Sequence, residues 1–270
     1  MSYFSELGLK EEPFSTSPDP NFFYQSPEHG SALRRLEIAI RLKRGMSLIL
    51  GDVGVGKTTL SRMLMQSFHN ENNFIFHMIL NPSYKSEFQF LNSLARRFGL
   101  DGKFHSAMDC QDAIEKYLFQ KGVEEGKTVV LLIDEGQKLS LPFLEVLRTL
   151  LNYETNKYKL LQLIIMAQLE LLPKIKHIRN FADRISLKYI INPLGQEDTK
   201  KLILFRLRQA GMDNSRYIFT DDAMDEIYKY SLGYPRRIAL LCHDTLENLI
   251  IEGKKIVDKK LVLKTIERNE

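Results

Sequence analysis

The chain has 270 residues, of which 44% are hydrophobic and 27% are charged, a balance that is ordinary for a soluble globular protein. Its 38 basic and 34 acidic residues leave a net charge of only +4, which permits contact with nucleic acid or anionic lipid without indicating either. Two cysteines are too few for a disulfide framework, and the longest apolar runs fall far short of the ~20 residues that cross a membrane. We therefore expect a cytoplasmic chain with no direct membrane insertion.

The first 28 residues are rich in aromatic residues and prolines. Because disordered segments contain few aromatics, we expect this segment to be ordered by packing on the core that follows. A helix is predicted over residues 27–44, where Leu33, Leu36 and Ile40 recur at helical spacing. Gly45 is predicted to end this helix as its C′ residue.

A glycine-rich loop follows the apolar run 47–50 and precedes another helical pattern. It reads G-x-x-x-x-G-K-T-T over Gly51, Asp52, Val53, Gly54, Val55, Gly56, Lys57, Thr58 and Thr59. A strand, such a loop and a helix are what phosphate binding needs, since glycines let successive backbone N–H groups turn toward an anion. We predict that the loop binds ATP, with Lys57 on the β- and γ-phosphates and the Thr58 hydroxyl on Mg²⁺. A glycine-rich turn that happens to carry a lysine is the alternative, and the flanking strand and helix weigh against it.

Beyond the loop, apolar strands alternate with helical patterns as far as residue 191. Strands are predicted at 74–80, 127–134, 160–167 and 185–191, and amphipathic helices at 85–98, 109–122 and 142–154. This alternation predicts an α/β sandwich with a largely parallel sheet.

The strand 127–134 ends in two carboxylates, Asp134 and Glu135. A buried strand with such an end is costly unless a cation lies there, and in phosphate-loop enzymes that cation is Mg²⁺. We predict Asp134 as a metal ligand and Glu135 as the base that orients and deprotonates the attacking water. An ordinary strand-to-turn exit is the alternative. Because the pair occurs together with the phosphate loop, nucleoside triphosphate hydrolysis is favoured.

Gln168 follows the strand 160–167, at the edge of the sheet where ligands of open α/β sheets gather. If this strand lies between those that carry Lys57 and Asp134, Gln168 is placed to bond the γ-phosphate or the lytic water. The alternative is a solvated glutamine that opens a loop.

The basic stretch 174–184 contains Arg179 and Arg184, of which either is a candidate arginine finger for the nucleotide of a neighbouring subunit. Contact with an anionic polymer and plain solvated surface are the competing interpretations. The six histidines and two cysteines show no metal-ligand spacing. The candidate metal ligands are therefore only those of the two motifs above, Thr58 and Asp134.

From residue 193 onward no strand pattern remains, and helices are predicted at 197–210, 221–230, 235–251 and 258–268. Thr220 and Asp258 are candidate N-caps. We predict three regions, a packed N-terminal segment (1–28), a core (29–192) and a helical lid (193–270). Arg236 lies at the start of a lid helix behind Pro235, a position from which it is able to fold over the phosphates. A solvated helix face is the alternative.

These motifs resemble the AAA+ ATPases and, more specifically, the ExeA/GspA-like ATPases, general secretion pathway protein A and its relatives. Residues 12–24 are similar to that family's E-P-F-x-x-x-P-D-P-x-F-x-Y opening, and the glycine-rich loop to its G-[ED]-V-G-x-G-K-T-T pattern. Residues 133–140 match I-D-E-A-Q-x-L-S except at Gly136. Residues 167–171 correspond to G-Q-P-E-L, with alanine and leucine in place of glycine and proline.

The resemblance implies the fold of a P-loop NTPase of the AAA+ class, a three-layer sandwich with a parallel sheet and a C-terminal all-helical lid domain. It also implies a role for each matching residue. These roles are phosphate and Mg²⁺ binding by Lys57 and Thr58, metal binding by Asp134, catalytic base for Glu135, first sensor for Gln168, second sensor for Arg236 and arginine finger for Arg184. It also implies a homo-oligomer, a ring or a filament, because a finger acts on the nucleotide of another subunit.

The implied function is an ATPase whose nucleotide-dependent oligomerisation serves a protein partner in an envelope secretion, pilus or export system. Family members at the cell wall usually continue into a membrane helix and a peptidoglycan-binding domain, so we expect a separate membrane partner or a longer chain. The alternative is a transposition regulator of the TnsC/TniB type that acts in a transpososome on duplex DNA. A third interpretation is a scaffold that binds ATP with little turnover.

Overall fold

Five strands form a parallel sheet in the computed structural model, which describes residues 3–178, 180–213 and 218–269. The strands are β1 (Met46–Leu50), β2 (Phe74–Ile79), β3 (Thr128–Ile133), β4 (Leu161–Ala167) and β5 (Ile185–Ile190). They lie in the order β2-β3-β4-β1-β5, and every neighbouring pair is parallel. The predicted α/β class with a parallel sheet is confirmed.

Burial of the strands follows their position in the sheet. The three central strands β1, β3 and β4 are buried along their whole length, whereas the edge strands β2 and β5 are partly exposed. Central parallel strands are covered on both faces, so their sequences are nearly continuous apolar runs. This is why the central strands stand out so clearly in the sequence.

Helices connect the strands and form the C-terminal part of the chain. They are α1 (Tyr3–Glu6), α2 (Pro27–Arg41), α3 (Lys57–Ser67), α4 (Glu87–Arg97), α5 (Ala107–Phe119), α6 (Leu141–Leu150), α7 (Leu171–Lys176), α8 (Gln196–Gln209), α9 (Asp221–Ser231), α10 (Pro235–Ile251) and α11 (Lys259–Asn269). Short 3₁₀ helices cover Pro20–Phe22, Gly136–Lys138 and Ala182–Arg184. Within the described ranges, no helix combines the length and the hydropathy needed to cross a bilayer.

The chain divides into two compact units. The sheet unit comprises Gly30–Asp52 and Leu60–Ile191. The helical unit comprises Met1–His29, Val53–Thr59 and Asn192–Glu270, and therefore includes most of the glycine-rich loop. The three contiguous regions that we predicted (1–28, 29–192 and 193–270) do not coincide with this division.

The sheet unit has a continuous hydrophobic core. Side chains of β1, β3 and β4 pack there with those of α4, α5 and α6. Representative members of this core, all without solvent exposure, are Leu48, Phe90, Leu94, Ile114, Leu131, Leu147 and Leu163. Apolar side chains recurring at helical spacing on one face of each helix supply this packing, as the amphipathic patterns predicted.

The N-terminal segment packs with the C-terminal helices inside the helical unit. Leu7, Leu9 and Phe14 belong to one hydrophobic cluster with residues of α8, α9 and α10. The ring of Phe14 lies edge-on to that of Phe219, with 6.1 Å between the ring centres. Within the helical unit the apolar side chains of this segment are thus buried with those of the C-terminal helices, and its packing on the core stays a prediction.

Of two predicted helix ends, the one at Gly45 differs from the structure and the one at Asp258 agrees with it. The residue at C′ of α2 is Lys43, with φ 50°, whose N–H bonds the Ile40 carbonyl, and not Gly45. The Gly45 N–H donates instead to Oε1 of Gln162 on β4, at 2.8 Å. Asp258 does cap α11, since its Oδ1 accepts the Leu261 N–H at 2.8 Å.

Candidate nucleotide-binding site

Three predicted site residues lie at the carboxyl edge of the sheet, within the sheet unit. Gly51 follows β1, Asp134 follows β3 and Gln168 follows β4. Because these strands are parallel neighbours, their carboxyl ends meet at one edge, which is where open α/β sheets bind ligands. Strand β4 lies between β1 and β3, so the condition that we set for Gln168 is met.

The turn after β3 places two carboxylates under different conditions. Asp134 is buried, with 2% of its surface exposed, and its Oδ1 accepts the Glu135 N–H at 2.9 Å. Glu135 has φ 55°, the left-handed region that residues with a side chain adopt rarely. Such backbone strain persists where the surroundings enforce it, often at functional sites. The Glu135 side chain remains 39% exposed, as a group that meets water requires.

Gln137 connects the Glu135 carboxylate to the end of β4. Its Nε2 donates to Oε2 of Glu135 at 2.8 Å, and its Oε1 accepts the Gln168 N–H at 3.2 Å. The side chain is buried, so both bonds are made away from bulk water. We did not predict a role for Gln137, although the glutamine of the I-D-E-A-Q pattern was visible in the sequence.

Lys174 on α7 bonds the backbone of the same turn. Its Nζ donates to the carbonyl oxygens of Gln137, at 2.5 Å, and of Leu139, at 3.2 Å. We predicted Lys174 as the start of a basic stretch that is able to contact an anionic polymer. Its ammonium group instead donates to two backbone carbonyls of the sheet unit, so Lys174 is a weaker candidate for contact with an anionic polymer.

Gly136 is one departure from the ExeA/GspA-like patterns, and it lies where little space is left for a side chain. A Cβ at this position would lie 2.3 Å from Cγ2 of Ile165 and 3.3 Å from Cβ of Ala167. The family patterns carry alanine at the first position and glycine at the second. Here the two residues are exchanged, and because the nearest atom to position 136 is Cγ2 of Ile165, an alanine there would require the Ile165 side chain to move.

In the helical unit, the glycine-rich loop has the backbone shape that its glycines allow. Gly54 and Gly56 have φ values of 84° and 98°, both in the left-handed region. The loop ends where α3 begins at Lys57, so the first N–H groups and the positive dipole end of a helix adjoin it. Lys57 is 8% exposed, while Thr58 and Thr59 are half-buried.

Arg236 lies against this loop in the same unit. Its backbone N–H donates to the Gly54 carbonyl at 3.2 Å, and a Cβ on Gly54 would lie 3.0 Å from the Arg236 Cβ. The Arg236 side chain itself is exposed. The turn before α10 lies so close to Leu194 that only glycine fits, because a Cβ on Gly233 would lie 1.9 Å from the Leu194 carbonyl oxygen.

Arg184 does not join the other sheet-unit candidates. It precedes β5, and so lies at the amino end of a strand whose parallel neighbour carries Gly51 at its carboxyl end. The residue is half-buried, and its Nε is buried without a hydrogen-bond partner in the described structure. Arg179, the other candidate finger, lies outside the described residues.

Known proteins are similar to this chain in sequence and in fold. A family model described as "AAA domain" matches residues 40–175. General secretion pathway protein A of Aeromonas hydrophila is 36% identical over 269 residues, which cover 98% of this chain and 48% of that protein. The chain thus spans about half the length of this curated relative.

Solved structures with the same fold include two ORC proteins and Cdc6p. The Aeropyrum pernix ORC2 protein in its ADPNP-ADP complexes gives a TM-score of 0.70 at 15% identity, covering 96% of this chain and 71% of that one. Cdc6p from Pyrobaculum aerophilum gives 0.69 at 18% identity, covering 95% and 70%. Drosophila ORC bound to DNA gives 0.70 at 20% identity, covering 98% and 65%.

At these identities the solved structures establish the fold alone. The match of the AAA domain model extends over half of the chain and includes both the glycine-rich loop and the Asp134-Glu135 turn. The relative from Aeromonas hydrophila matches almost the whole chain. The chain therefore belongs to the AAA+ ATPases, within their ExeA/GspA-like family.

Proposed function

We propose that the chain binds ATP with Mg²⁺ and hydrolyses it. The observation that carries this proposal is the pairing of two features, a glycine loop at the start of α3 and a buried aspartate at the carboxyl end of β3. The left-handed glycines and the helix N-terminus fit a polyphosphate, and the Asp134 carboxylate fits a hard cation. When bound, Mg²⁺ would supply charge neutralisation on the phosphate oxygens.

Some residues of the chain would bind the nucleotide and the metal, and others would activate the attacking water. Lys57 and the loop N–H groups of 53–59 would hold the phosphates, and Thr58 and Asp134 would hold the metal. Glu135 would orient a water molecule and accept its proton, with Gln137 holding the carboxylate in place. Gln168 and Arg236 would contact the γ-phosphate as sensors.

We further propose that nucleotide binding drives self-association into a ring or filament that serves an envelope secretion, pilus or export system. The support is the 36% identity to general secretion pathway protein A over nearly the whole chain. Arg184 would act on the nucleotide of a neighbouring subunit. A transposition ATPase on duplex DNA is the competing function, and the internal bonding of Lys174 removes one cation from the stretch that favoured it.

An ATPase assay with and without duplex DNA, read beside nucleotide-dependent size-exclusion chromatography, tests these proposals. We expect phosphate release that DNA does not stimulate, and a larger species with ATP than with ADP. Glu135→Gln should retain ATP binding and lose turnover by about 100-fold or more. Tight binding to duplex DNA that weakens steeply with salt, together with DNA-stimulated turnover, would support the transposition function instead. ATP binding without turnover in the wild type would support the scaffold.

A further inference from the structure

His29 is enclosed by the helical unit although it carries a titratable ring, with only 2% of its surface exposed. Its Nε2 lies 2.8 Å from the carbonyl oxygen of Val55, in the middle of the glycine-rich loop. Its Nδ1 lies 2.7 Å from the hydroxyl oxygen of Ser26, which is also buried. Both ring nitrogens therefore have a polar partner.

These partners determine the tautomer of the ring. A carbonyl oxygen only accepts, so Nε2 carries the proton and donates it to Val55. Nδ1 then accepts the hydroxyl proton of Ser26, whose oxygen also accepts the His29 backbone N–H at 3.3 Å. Burial lowers the pKa of His29, which favours this neutral form of the ring.

The place of this bond in the loop matters for phosphate binding. In a trans peptide the carbonyl group and the following N–H point in opposite directions, and the described chain contains no cis peptide. When the Val55 carbonyl is held toward His29, the Gly56 N–H is turned to the opposite side of the backbone. N–H groups on that inner side are the ones that a phosphate nest uses.

Packing holds the ring against the loop. The Phe23 ring lies edge-on to the imidazole, with 5.0 Å between the ring centres. A Cβ on Gly56 would lie 3.2 Å from Nε2 of His29 and 3.6 Å from Cε2 of Phe23. Phe23 and His29 thus lie against two successive loop residues, Val55 and Gly56.

On the basis of the proposed nucleotide binding, we propose that His29 is a positioning residue for the phosphate loop. Its Nε2–H holds the Val55 carbonyl outward, so that the Gly56 N–H faces the phosphate site before the nucleotide arrives. Without this donor the glycines allow other orientations of the Val55–Gly56 peptide, and the nucleotide must reorder the loop when it binds. His29 acts in this way without contacting the substrate.

Two substitutions at His29 separate the donor from the ring. His29→Leu removes the donor and keeps an apolar side chain beside Phe23, whereas His29→Gln keeps an N–H donor at a similar reach. In equilibrium titrations with a fluorescent ADP analogue, we expect about tenfold weaker binding for His29→Leu and a change within about threefold for His29→Gln. In hydrolysis assays, the KM for ATP should rise about tenfold in His29→Leu while kcat stays within about twofold, because bound nucleotide orders the loop.

His243→Leu is the matched control, since the same change is made in the same unit on a ring that contacts Tyr3 and Glu12. It should leave nucleotide affinity unchanged. Hydrogen exchange provides a second measurement that uses no nucleotide. Peptides that cover residues 51–59 should exchange faster in His29→Leu than in His29→Gln or the wild type.

Equal nucleotide affinities for the wild type and a folded His29→Leu variant would overturn the inference, and so would a fall in kcat at unchanged KM. If His29→Leu does not fold, Ser26→Ala takes its place, because it removes the Nδ1 partner and leaves the ring. We expect about two- to threefold weaker binding there, and unchanged binding would count against the inference. A wild-type chain that binds no nucleotide contradicts the proposed function itself, so the two failures are distinguishable.

Discussion

The backbone N–H of Arg236 donates to the carbonyl oxygen of Gly54 across 3.2 Å, so the first turn of α10 touches the glycine-rich loop through its main chain. Arg236 attracts attention in the sequence for its side chain. The structure gives it a second connection, which every residue type except proline would preserve. The guanidinium group is exposed and so remains available for another task.

This separation of main chain and side chain predicts the effect of Arg236→Ala. The bond to Gly54 should persist, so ADP affinity should stay within about threefold, while kcat should fall about 10- to 100-fold through loss of the charge near the γ-phosphate. Arg237→Ala is the matched control, because the Arg237 side chain is also exposed and lies over the Tyr234 ring. Titration with an ADP analogue and steady-state hydrolysis measure both quantities. A tenfold loss of ADP affinity in Arg236→Ala would contradict the expectation.

The turn before α10 depends on the absence of a side chain at Gly233. Gly233→Ala would place a Cβ 1.9 Å from the Leu194 carbonyl oxygen, at a φ of 76°. We expect a loss of about 3 kcal/mol or more in the free energy of unfolding, because both the clash and the left-handed backbone oppose the substitution. Gly253→Ala has a φ of 63° but no neighbour within 4 Å, and should lose only about 1 kcal/mol. Chemical denaturation of both variants measures these losses. Similar losses in the free energy of unfolding for Gly233→Ala and Gly253→Ala would show that the structure relieves the clash with Leu194.

The buried Gln137 predicts a catalytic effect that is separate from nucleotide binding. Gln137→Leu removes the donor to Glu135 and the acceptor for the Gln168 N–H. Because Glu135, the proposed base, then loses its orientation, we expect kcat to fall about tenfold with the KM for ATP within about twofold. Gln137→Glu keeps an acceptor for Gln168 and removes the donor, so it should also be impaired. Unchanged turnover in Gln137→Leu would argue that Glu135 is oriented by other groups.

His77 predicts a loss of stability in mild acid. Burial lowers the pKa of His77 to about 4 from its ordinary value of 6.5. The unfolded chain therefore binds a proton between pH 6.5 and 4 that the folded chain does not, so stability falls as the pH falls through this window. Below pH 4 this residue contributes no further loss.

Urea denaturation of the wild type and of His77→Gln at several pH values between 7.5 and 4.5 tests this expectation. The free energy of unfolding should fall more steeply toward low pH in the wild type than in the variant, since glutamine does not titrate. His69→Gln changes an exposed histidine and serves as the control, with a curve that should follow the wild type. Parallel curves for the wild type and His77→Gln would contradict the prediction.

The parts of the fold that follow from local pattern were predictable from the sequence. The central strands β1, β3 and β4 are apolar runs because both faces are buried, and their carboxyl ends carry the motif residues. The order β3-β4-β1, which puts Gln168 between the loop and Asp134, was stated only as a condition. Strand order depends on contacts between distant segments, and no local pattern records it.

The parts that we missed share one physical cause. An aromatic or amphipathic pattern shows that a face is buried and leaves open which surface buries it, so the cluster that the N-terminal segment forms with the C-terminal helices was not predicted. Gln137 and Lys174 are polar residues whose partners are backbone atoms or side chains of other elements. Their residue types alone are typical of solvated positions. Only the three-dimensional contacts distinguish them from surface residues.

Two successive carbonyls of the glycine-rich loop, those of Gly54 and Val55, are bonded by residues that lie far apart in the chain, Arg236 and His29. During synthesis the loop leaves the ribosome long before Arg236 does. A nascent chain therefore contains the complete phosphate motif while one of its two external supports is still missing. We therefore expect the loop to reach the backbone arrangement described here only after α10 has been synthesised.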